Sequence, residues 1–518
     1  MASLSIRGLM LDAARLVELP QYYRRFIDFC ADWGINAVIF RLTDDQGCAI
    51  RFRGRPELLT HENALEPAQM AELARYAQQR GVELIPEIES FGHSVYVTSV
   101  PAYAGLCDRD AKGIDWAQAL IPLHPQVLEI LSDLYREAAE LFPGRFLHGG
   151  CDEVNWGGSE FSRSLLKQKS RAQVWAGHLN ELRRIAGGCG KELIVWGDHV
   201  LRKEPEILDH LDRQIIIHDW EYETCDPAPL VVFAERALSK GFRVIGGPAL
   251  TWCRWGPRIG RGQLFNVDAY ADAYRRIQDE RALGVIVTNW VPGRYVPDAI
   301  WDELAYAAVA VNEGTAAARE TALARFVERH FGAAWDERWS DIFHTLYAAA
   351  ENRTSCSPPW LGPTLPRPWA SEEELRQILT AGRRSAPPFR RLRGQLEEQA
   401  ATVKRNQDDF QSLRLVVAYL EHVYWRQAAP VEAMTAAREQ DSRDRIRRIA
   451  RKDAELLAEL EREWNRSRAP NAWQAAARKF GIGGEDALLW KFAQAAEFSA
   501  ALAQEPNRFS ALLRKGQA

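Results

Sequence analysis

Arg145-Phe146-Leu147-His148-Gly149-Gly150-Cys151-Asp152-Glu153-Val154 decides how this chain is read. Its apolar start suits one short buried strand, and the two glycines end that strand where backbone can approach another group closely. Two adjacent carboxylates follow. Such a pair has two readings: acid chemistry at a strand end, or a helix start in which Asp152 caps the first turn and Glu153 sits inside it. The rest of the chain chooses between them.

Working outward, apolar strand-like runs recur at 6–12, 35–42, 82–89, 193–198, 215–220, 242–247 and 284–290, which with 146–150 make eight. Amphipathic helical stretches fall between them, at 20–33, 68–80, 125–141 and 160–186. Eight such alternations predict a (β/α)8 TIM barrel. A doubly wound open sheet is the alternative, but no glycine-rich phosphate loop follows the first run. In a barrel the active site gathers at the carboxyl ends of the strands. Those ends carry Asp12, Asp44, Asp45, Glu87, His93, Asp152, Glu153, Trp196, Asp198, Trp220 and Trp290. Acids beside tryptophans suit glycoside chemistry, with stacking for apolar sugar faces and a proton donor for the leaving oxygen.

The chain has 518 residues, more than one core usually serves. A proline-rich segment at 351–370 cannot continue a helix, so the expected division is a barrel at 1–350 and an α-helical C-terminal domain at 371–518. In the latter, Ile446, Ile449, Leu456, Leu457, Leu460 and Trp464 form an apolar stripe expected to pack as core, in a bundle against the barrel. The stripe could instead bury against a second subunit, and a homodimer is one expectation. Formal charge is −4 from 66 basic and 70 acidic residues, which argues against nucleic acid or an anionic membrane and points to a neutral partner. The N-terminus lacks a basic segment followed by an apolar one, and no apolar run has the length of a membrane span; a cytoplasmic location is expected. Eight cysteines lie scattered without a CxxC pair and are read as reduced thiols.

Four motifs then coincide in order: Arg7-Gly8-Leu9-Met10-Leu11-Asp12-Ala13-Ala14-Arg15, Leu42-Thr43-Asp44-Asp45-Gln46-Gly47, Ile85-Pro86-Glu87-Ile88-Glu89-Ser90-Phe91-Gly92-His93 and His148-Gly149-Gly150-Cys151-Asp152-Glu153-Val154. Together they resemble the β-N-acetylhexosaminidases of glycoside hydrolase family 20, over roughly residues 5 to 310. The Cys-Asp-Glu form of the acidic motif, Trp220-Glu221-Tyr222 and the run ending at Trp290 are most similar to the hexosaminidase D type.

The resemblance implies a retaining, substrate-assisted hydrolysis of terminal β-linked N-acetylhexosamine, in which the substrate's acetamido oxygen is the nucleophile. Glu153 is then the acid and base, with a pKa raised toward working pH. Asp152 stays ionised and holds the acetamido N–H. Arg7 matches the arginine that grips sugar hydroxyls, and Trp196, Trp220 and Trp290 match the walls of the acetamido pocket. His93 with Asp44 or Asp45 matches a relay behind the acid, with His148 in a supporting place. Asp198, Tyr222 and Trp252 are further substrate-binding candidates. No cofactor or metal is expected. Two departures concern specificity: Pro292 stands where many members have a sugar-gripping Glu, with Arg294, Tyr295 or Asp298 as candidate replacements, and the segment at 250–255 lacks the usual Tyr-containing turn. The choice between N-acetylgalactosamine and N-acetylglucosamine is therefore open, with a lean toward both and the galactosaminide preferred.

Two alternatives compete. A metal-dependent hydrolase could use His148, Cys151, Asp152, His199, His218 and Asp219, but no His-x-His or His-x-x-x-His spacing joins them. A non-catalytic sugar-binding or scaffolding protein could keep the same barrel. It would have no need for Asp152, Glu153, Arg7 and His93 together.

Overall fold

The computed structural model describes residues 4–109, 118–251, 261–351, 371–434, 439–468 and 488–504. The expected linker at 351–370 and Trp252 lie outside the described residues, apart from Glu351 at the end of a helix.

The apolar runs become strands in chain order: β1 Ile6–Leu11, β2 Ala37–Arg41, β3 Thr43–Asp44, β4 Gly47–Ile50, β5 Thr60–Leu65, β6 Glu83–Glu87, β7 Phe146–His148, β8 Glu192–Trp196, β9 Ile216–Trp220, β10 Arg243–Gly247, β11 Ala249–Thr251 and β12 Ala282–Asn289. Among the described residues, eight of these pair in parallel in the order β1, β2, β6, β7, β8, β9, β10, β12, and β1 pairs with β12 to close the barrel. The fold is the (β/α)8 barrel. Its core is two-layered, as the period-2 alternation of a strand requires. Ile6, Met10, Ile39, Ile85, Ile194, Ile216, Ile245 and Ile286 fill the interior, while residues of opposite parity such as Leu9, Val38, Leu84 and Val287 pack with the surrounding helices.

Strands β3, β4 and β5 form a small separate sheet, an excursion from the end of β2. β3 and β4 make a hairpin in which Asp44 pairs with Gly47, so Asp45 and Gln46 form its tip over the barrel mouth. The helical stretch expected at 160–186 is two helices, Glu160–Leu166 and Arg171–Gly188. Ser170 starts the second with a capping box, its hydroxyl accepting from Gln173 N–H while the Gln173 side chain returns to the Ser170 backbone.

C-terminal to the barrel the described chain is helical: Glu372–Gln399, Gln407–Met434, Glu439–Ser467 and Leu488–Gln504 pack on one another. The apolar stripe on Glu439–Ser467 is buried as expected of core, with Leu457 half-buried. No helix of the described residues is long and apolar enough to cross a membrane. The bundle leans on the barrel rather than standing apart: Gln407–Met434 contacts the turn Pro297–Ala299, and Leu488–Gln504 contacts Pro292–Arg294, both in the loop after β12.

Leu392 is fully buried in the first helix of this bundle. Leu392→Ala is expected to lower unfolding free energy by about 2–5 kcal/mol, read as an earlier midpoint in urea.

Candidate active site

The site grows from one buried charge. Arg41 ends β2, where its inward parity carries the guanidinium into the barrel mouth, and it is 0% exposed. Four carboxylates surround it: Asp44 at 2.6 Å, Glu89 at 2.8 Å, Glu87 at 2.9 Å and Asp12 at 3.7 Å. The face of Trp290 lies 5.0 Å from the guanidinium carbon. Arg15, from the loop after β1, adds a second cation, 3.0 Å from Asp44, 3.2 Å from Asp12 and 5.3 Å from the Trp290 ring centre. Carboxylates outnumber cations here, and their protonation divides accordingly. Asp44 is buried, yet Arg15, Arg41 and His93 hold it well below the ordinary range. Burial pushes Glu87 up to about 7 against the pull of Arg41, and burial together with Asp152 drives Glu89 well above its usual value.

Above this floor stands the relay. His93 donates or accepts on both ring nitrogens, Nδ1 with Asp45 Oδ2 at 2.9 Å and Nε2 with Glu153 Oε2 at 3.1 Å. Burial disfavours a charged imidazole, but Asp45, Asp152 and these two hydrogen bonds outweigh it and raise the His93 pKa well above its usual value. Asp45, at the hairpin tip, also accepts from Val95 N–H at 3.2 Å. Two groups of acids and imidazole lie close enough to suggest a metal, Asp44–Asp45–His93 and His93–Asp152–Glu153. The shared histidine already spends both nitrogens on hydrogen bonds, which is the pattern of a proton relay.

The acidic pair hangs on a tightly specified turn. Gly150 has φ +64°, and a Cβ there would lie 2.1 Å from Glu89 Oε2, the oxygen that accepts from Cys151 N–H at 3.1 Å. Gly92 allows the neighbouring loop within reach, since its Cβ would meet the Asp152 carbonyl at 2.3 Å. Among the described residues, six non-glycines have positive φ, and four of them, His93, Cys151, Glu153 and Val291, sit at this mouth. Strain of this kind, of order 1–3 kcal/mol per residue, persists where surrounding structure holds a functional geometry. Glu153 N–H donates to Asp198 Oδ2 at 3.2 Å, and that oxygen also accepts from Lys203 at 2.7 Å. The capping alternative for Asp152 falls away, because the next helix starts at Glu160 with Ser159 as its cap.

The two acids are unequal, in the opposite sense to that expected. Burial raises the Asp152 pKa, with Glu153 and Asp198 adding to it against His93 and Arg41. Burial acts to raise Glu153 as well, but the hydrogen bond and charge of His93, with Arg15 and Lys203, bring it below its usual value. The cause is distance: His93 Nε2 is 3.1 Å from Glu153 and 3.9 Å from Asp152. Asp152 Oδ1 is buried without a hydrogen-bond partner, and the Glu153 side chain is 37% exposed.

Aromatic walls complete the site. Trp290 donates its indole N–H to Tyr222 Oη at 2.9 Å, and Trp220 stacks on Tyr222 at 4.8 Å. Trp196, expected as a wall, is 1% exposed and forms the floor under Trp290, its N–H bonded to Glu87 at 2.8 Å. His148 lies at the same depth, 4.5 Å from the Trp196 ring and hydrogen-bonded to His218 at 3.3 Å; burial keeps both imidazoles neutral, His218 near a pKa of about 3.

Arg7 is a correction. It is the second residue of β1, of outward parity, and its guanidinium donates to Leu4 O at 2.7 Å and Gly34 O at 3.2 Å, at the end of the barrel away from the acids. Arg15, in the same motif, is the arginine that reaches the site. Of the candidate replacements at the missing Glu, Asp298 is turned into ion pairs with Arg468 at 3.1 Å and Arg25 at 3.4 Å, and Tyr295 is buried. Arg15, Arg41, Glu87, Glu89 and Lys203 were not assigned roles from sequence. A cation ending an apolar strand, and glutamates two apart at and just past a strand end, were the available signals.

With this geometry in view, residues 5–252 match the family model described as the catalytic domain of glycosyl hydrolase family 20. The match runs along the barrel from β1 to β11 and covers just under half of the chain. A β-hexosaminidase of Vibrio furnissii is 27% identical over 248 residues, 41% of this chain and 39% of the relative. Hexosaminidase D of Bos taurus is 29% identical over 150 residues, 28% of this chain and 41% of that protein. The chain thus spans less than half the length of either relative. A solved structure of a β-N-acetylhexosaminidase shares the fold with a TM-score of 0.50 at 15% identity, over 64% of this chain and 78% of that one.

Arg41→Met would leave Asp12, Asp44, Glu87 and Glu89 facing one another, and loss of about 3–5 kcal/mol is expected in urea unfolding. A second expectation concerns pH. Because folding raises Glu87 to about 7 from 4.5, its contribution to stability is full below about 4.5 and declines as pH rises toward 7. Glu87→Gln removes that dependence, so its unfolding midpoint relative to wild type should climb across this window; a constant difference would refute the assignment.

Proposed function

We propose that this barrel is a retaining exo-β-N-acetylhexosaminidase of glycoside hydrolase family 20, releasing terminal β-linked N-acetylgalactosamine or N-acetylglucosamine by substrate-assisted catalysis. One observation carries the reading: two adjacent carboxylates with different equipment, Asp152 with a buried unpartnered oxygen and Glu153 half-buried and bonded to a histidine relay. Neighbouring residues on one turn are poorly placed to attack a sugar from one face and protonate it from the other. Both have a task if the nucleophile belongs to the substrate.

In the first step Glu153, as the acid, protonates the glycosidic oxygen. The acetamido oxygen attacks the anomeric carbon as the bond to the leaving group breaks. Asp152 Oδ1 accepts the acetamido N–H and stabilises the positive charge that develops on the new ring. The proton comes from the His93–Glu153 pair, whose 3.1 Å hydrogen bond lets one proton serve either group. A sugar seated over the exposed part of Glu153 adds to its burial and favours the protonated carboxyl, while Asp45 balances the imidazole. In the second step Glu153, now ionised, takes a proton from water as it opens the cyclic intermediate with retained configuration. Trp220, Tyr222 and Trp290 offer stacking surfaces to the sugar and its acetamido methyl. With Pro292 in place of a gripping acid and Asp298 turned away, the hold on the C4 hydroxyl is loose, which favours acceptance of both epimers with the galactosaminide preferred.

The test is parallel hydrolysis of para-nitrophenyl β-N-acetylgalactosaminide, β-N-acetylglucosaminide and β-galactoside. Cleavage of the two acetamido sugars only is expected, with inhibition by a thiazoline mimic of the intermediate. Glu153→Gln is expected to cost about 10²–10⁴ in kcat. A folded wild-type protein that binds these sugars and cleaves none of them across a broad pH range would instead be a sugar-binding barrel.

A further inference from the structure

The helical region sends one buried residue between two loops of the barrel mouth. Arg468, just past the helix Glu439–Ser467, has a side chain 0% exposed. Its Nε lies 3.2 Å from Glu18, in the loop after β1, and its Nη1 lies 3.1 Å from Asp298, in the loop after β12. Its guanidinium sits 4.8 Å from the Trp464 ring and 5.6 Å from that of Tyr22. Asp298 is also paired with Arg25 at 3.4 Å, and Arg25 reaches Asp409 of the helical region at 2.6 Å. Two barrel loops are thus joined from outside through a residue of the bundle.

The same two loops carry part of the site on their inner side. The first brings Asp12 and Arg15, and the second brings Trp290 and Val291. On the inner side they are joined by a hydrogen bond from Val291 N–H to Asp12 Oδ2 at 2.9 Å, made by a residue at the unfavourable φ of +51°. In this arrangement the Arg15 guanidinium lies 5.3 Å from the Trp290 ring centre. A strained β-branched residue holds such a conformation when its surroundings fix both ends, and the fully buried Arg468 supplies the outer fixture.

We propose that Arg468 is a positioning residue: by clamping Glu18 to Asp298 it holds Trp290 and Arg15 in register, so the helical region completes the sugar site of the barrel. This rests on the hydrolase reading above for its kinetic test. On that reading Trp290 and Arg15 face the sugar in ground and transition states alike, so their displacement would weaken binding more than chemistry.

Arg468→Met should raise KM for the aryl β-N-acetylhexosaminides about tenfold and change kcat by less than about threefold. Arg468→Lys, which keeps the charge and loses the fork, should recover part of the loss. Glu18→Gln removes the other half of the clamp and should shift KM in the same direction if Arg468→Met does not fold. Arg426→Met is the control, since Arg426 is buried within the bundle against Asp453 and Ser499 and touches no barrel loop among its described hydrogen bonds. It should lower Tm and leave KM unchanged. Hydrogen exchange read by mass spectrometry gives a measure independent of turnover: peptides covering 290–299 should exchange faster in Arg468→Met and Glu18→Gln than in Arg426→Met. Unchanged KM and unchanged exchange in both clamp variants, or an equal KM rise in Arg426→Met, overturns the proposal. A wild type that cleaves no acetamido sugar refutes the hydrolase reading instead, and the exchange comparison then decides the clamp alone.

Discussion

A single guanidinium surrounded by carboxylates governs the mouth of this barrel. Removing Arg41 from water is costly, and four acids from three strand ends, with the Trp290 face, replace its hydration. The arrangement ties the ends of β1, β2 and β6 together where the chain would otherwise splay into loops. It also sets the local potential. With Arg15, it keeps Asp44 ionised, while burial, aided by neighbouring carboxylates, raises Glu87, Glu89 and Asp152. A site built to receive developing positive charge needs that excess of carboxylates.

The acidic pair draws its asymmetry from this setting rather than from residue type. Burial, with Glu153 and Asp198, raises Asp152 against the pull of His93 and Arg41, whereas the hydrogen bond and charge of His93, with Arg15 and Lys203, outweigh burial at Glu153. The turn between β7 and the acids makes the difference possible: positive φ at Gly150, Cys151 and Glu153 points successive side chains in directions that ordinary extended or helical backbone would not give. Glycines pack the turn against Glu89 and the His93 loop, so the strain is held by close backbone approach instead of by large side chains.

The C-terminal helices extend this logic outward. Their apolar stripe makes a bundle, but the bundle touches the barrel at the loop after β12, through Gln407–Met434, Leu488–Gln504 and the buried Arg468. Charge pairs in such a place contribute more to defining a geometry than to net stability, because desolvation offsets much of their attraction. The loop they grip is the one that presents Trp290.

The barrel was legible in the sequence because parallel strands buried on both faces leave long apolar runs, and eight of these with helices between them admit few closed arrangements. Asp152, Glu153, His93 and Asp45 could be named because they follow strand ends, where the fold puts its chemistry. Arg7 misled for a related reason: within a strand, position and parity separate residues that stand close in sequence, and Arg7 lies outward near the start of β1 while Arg15 arrives beyond its end. Tertiary structure alone decided the sense of the acid pair's inequality, the place of Trp196 beneath Trp290, and the grip of Arg468 on Glu18 and Asp298. Each depends on distances between groups from separate elements, and electrostatic energy varies with those distances and with burial, quantities that sequence order does not contain.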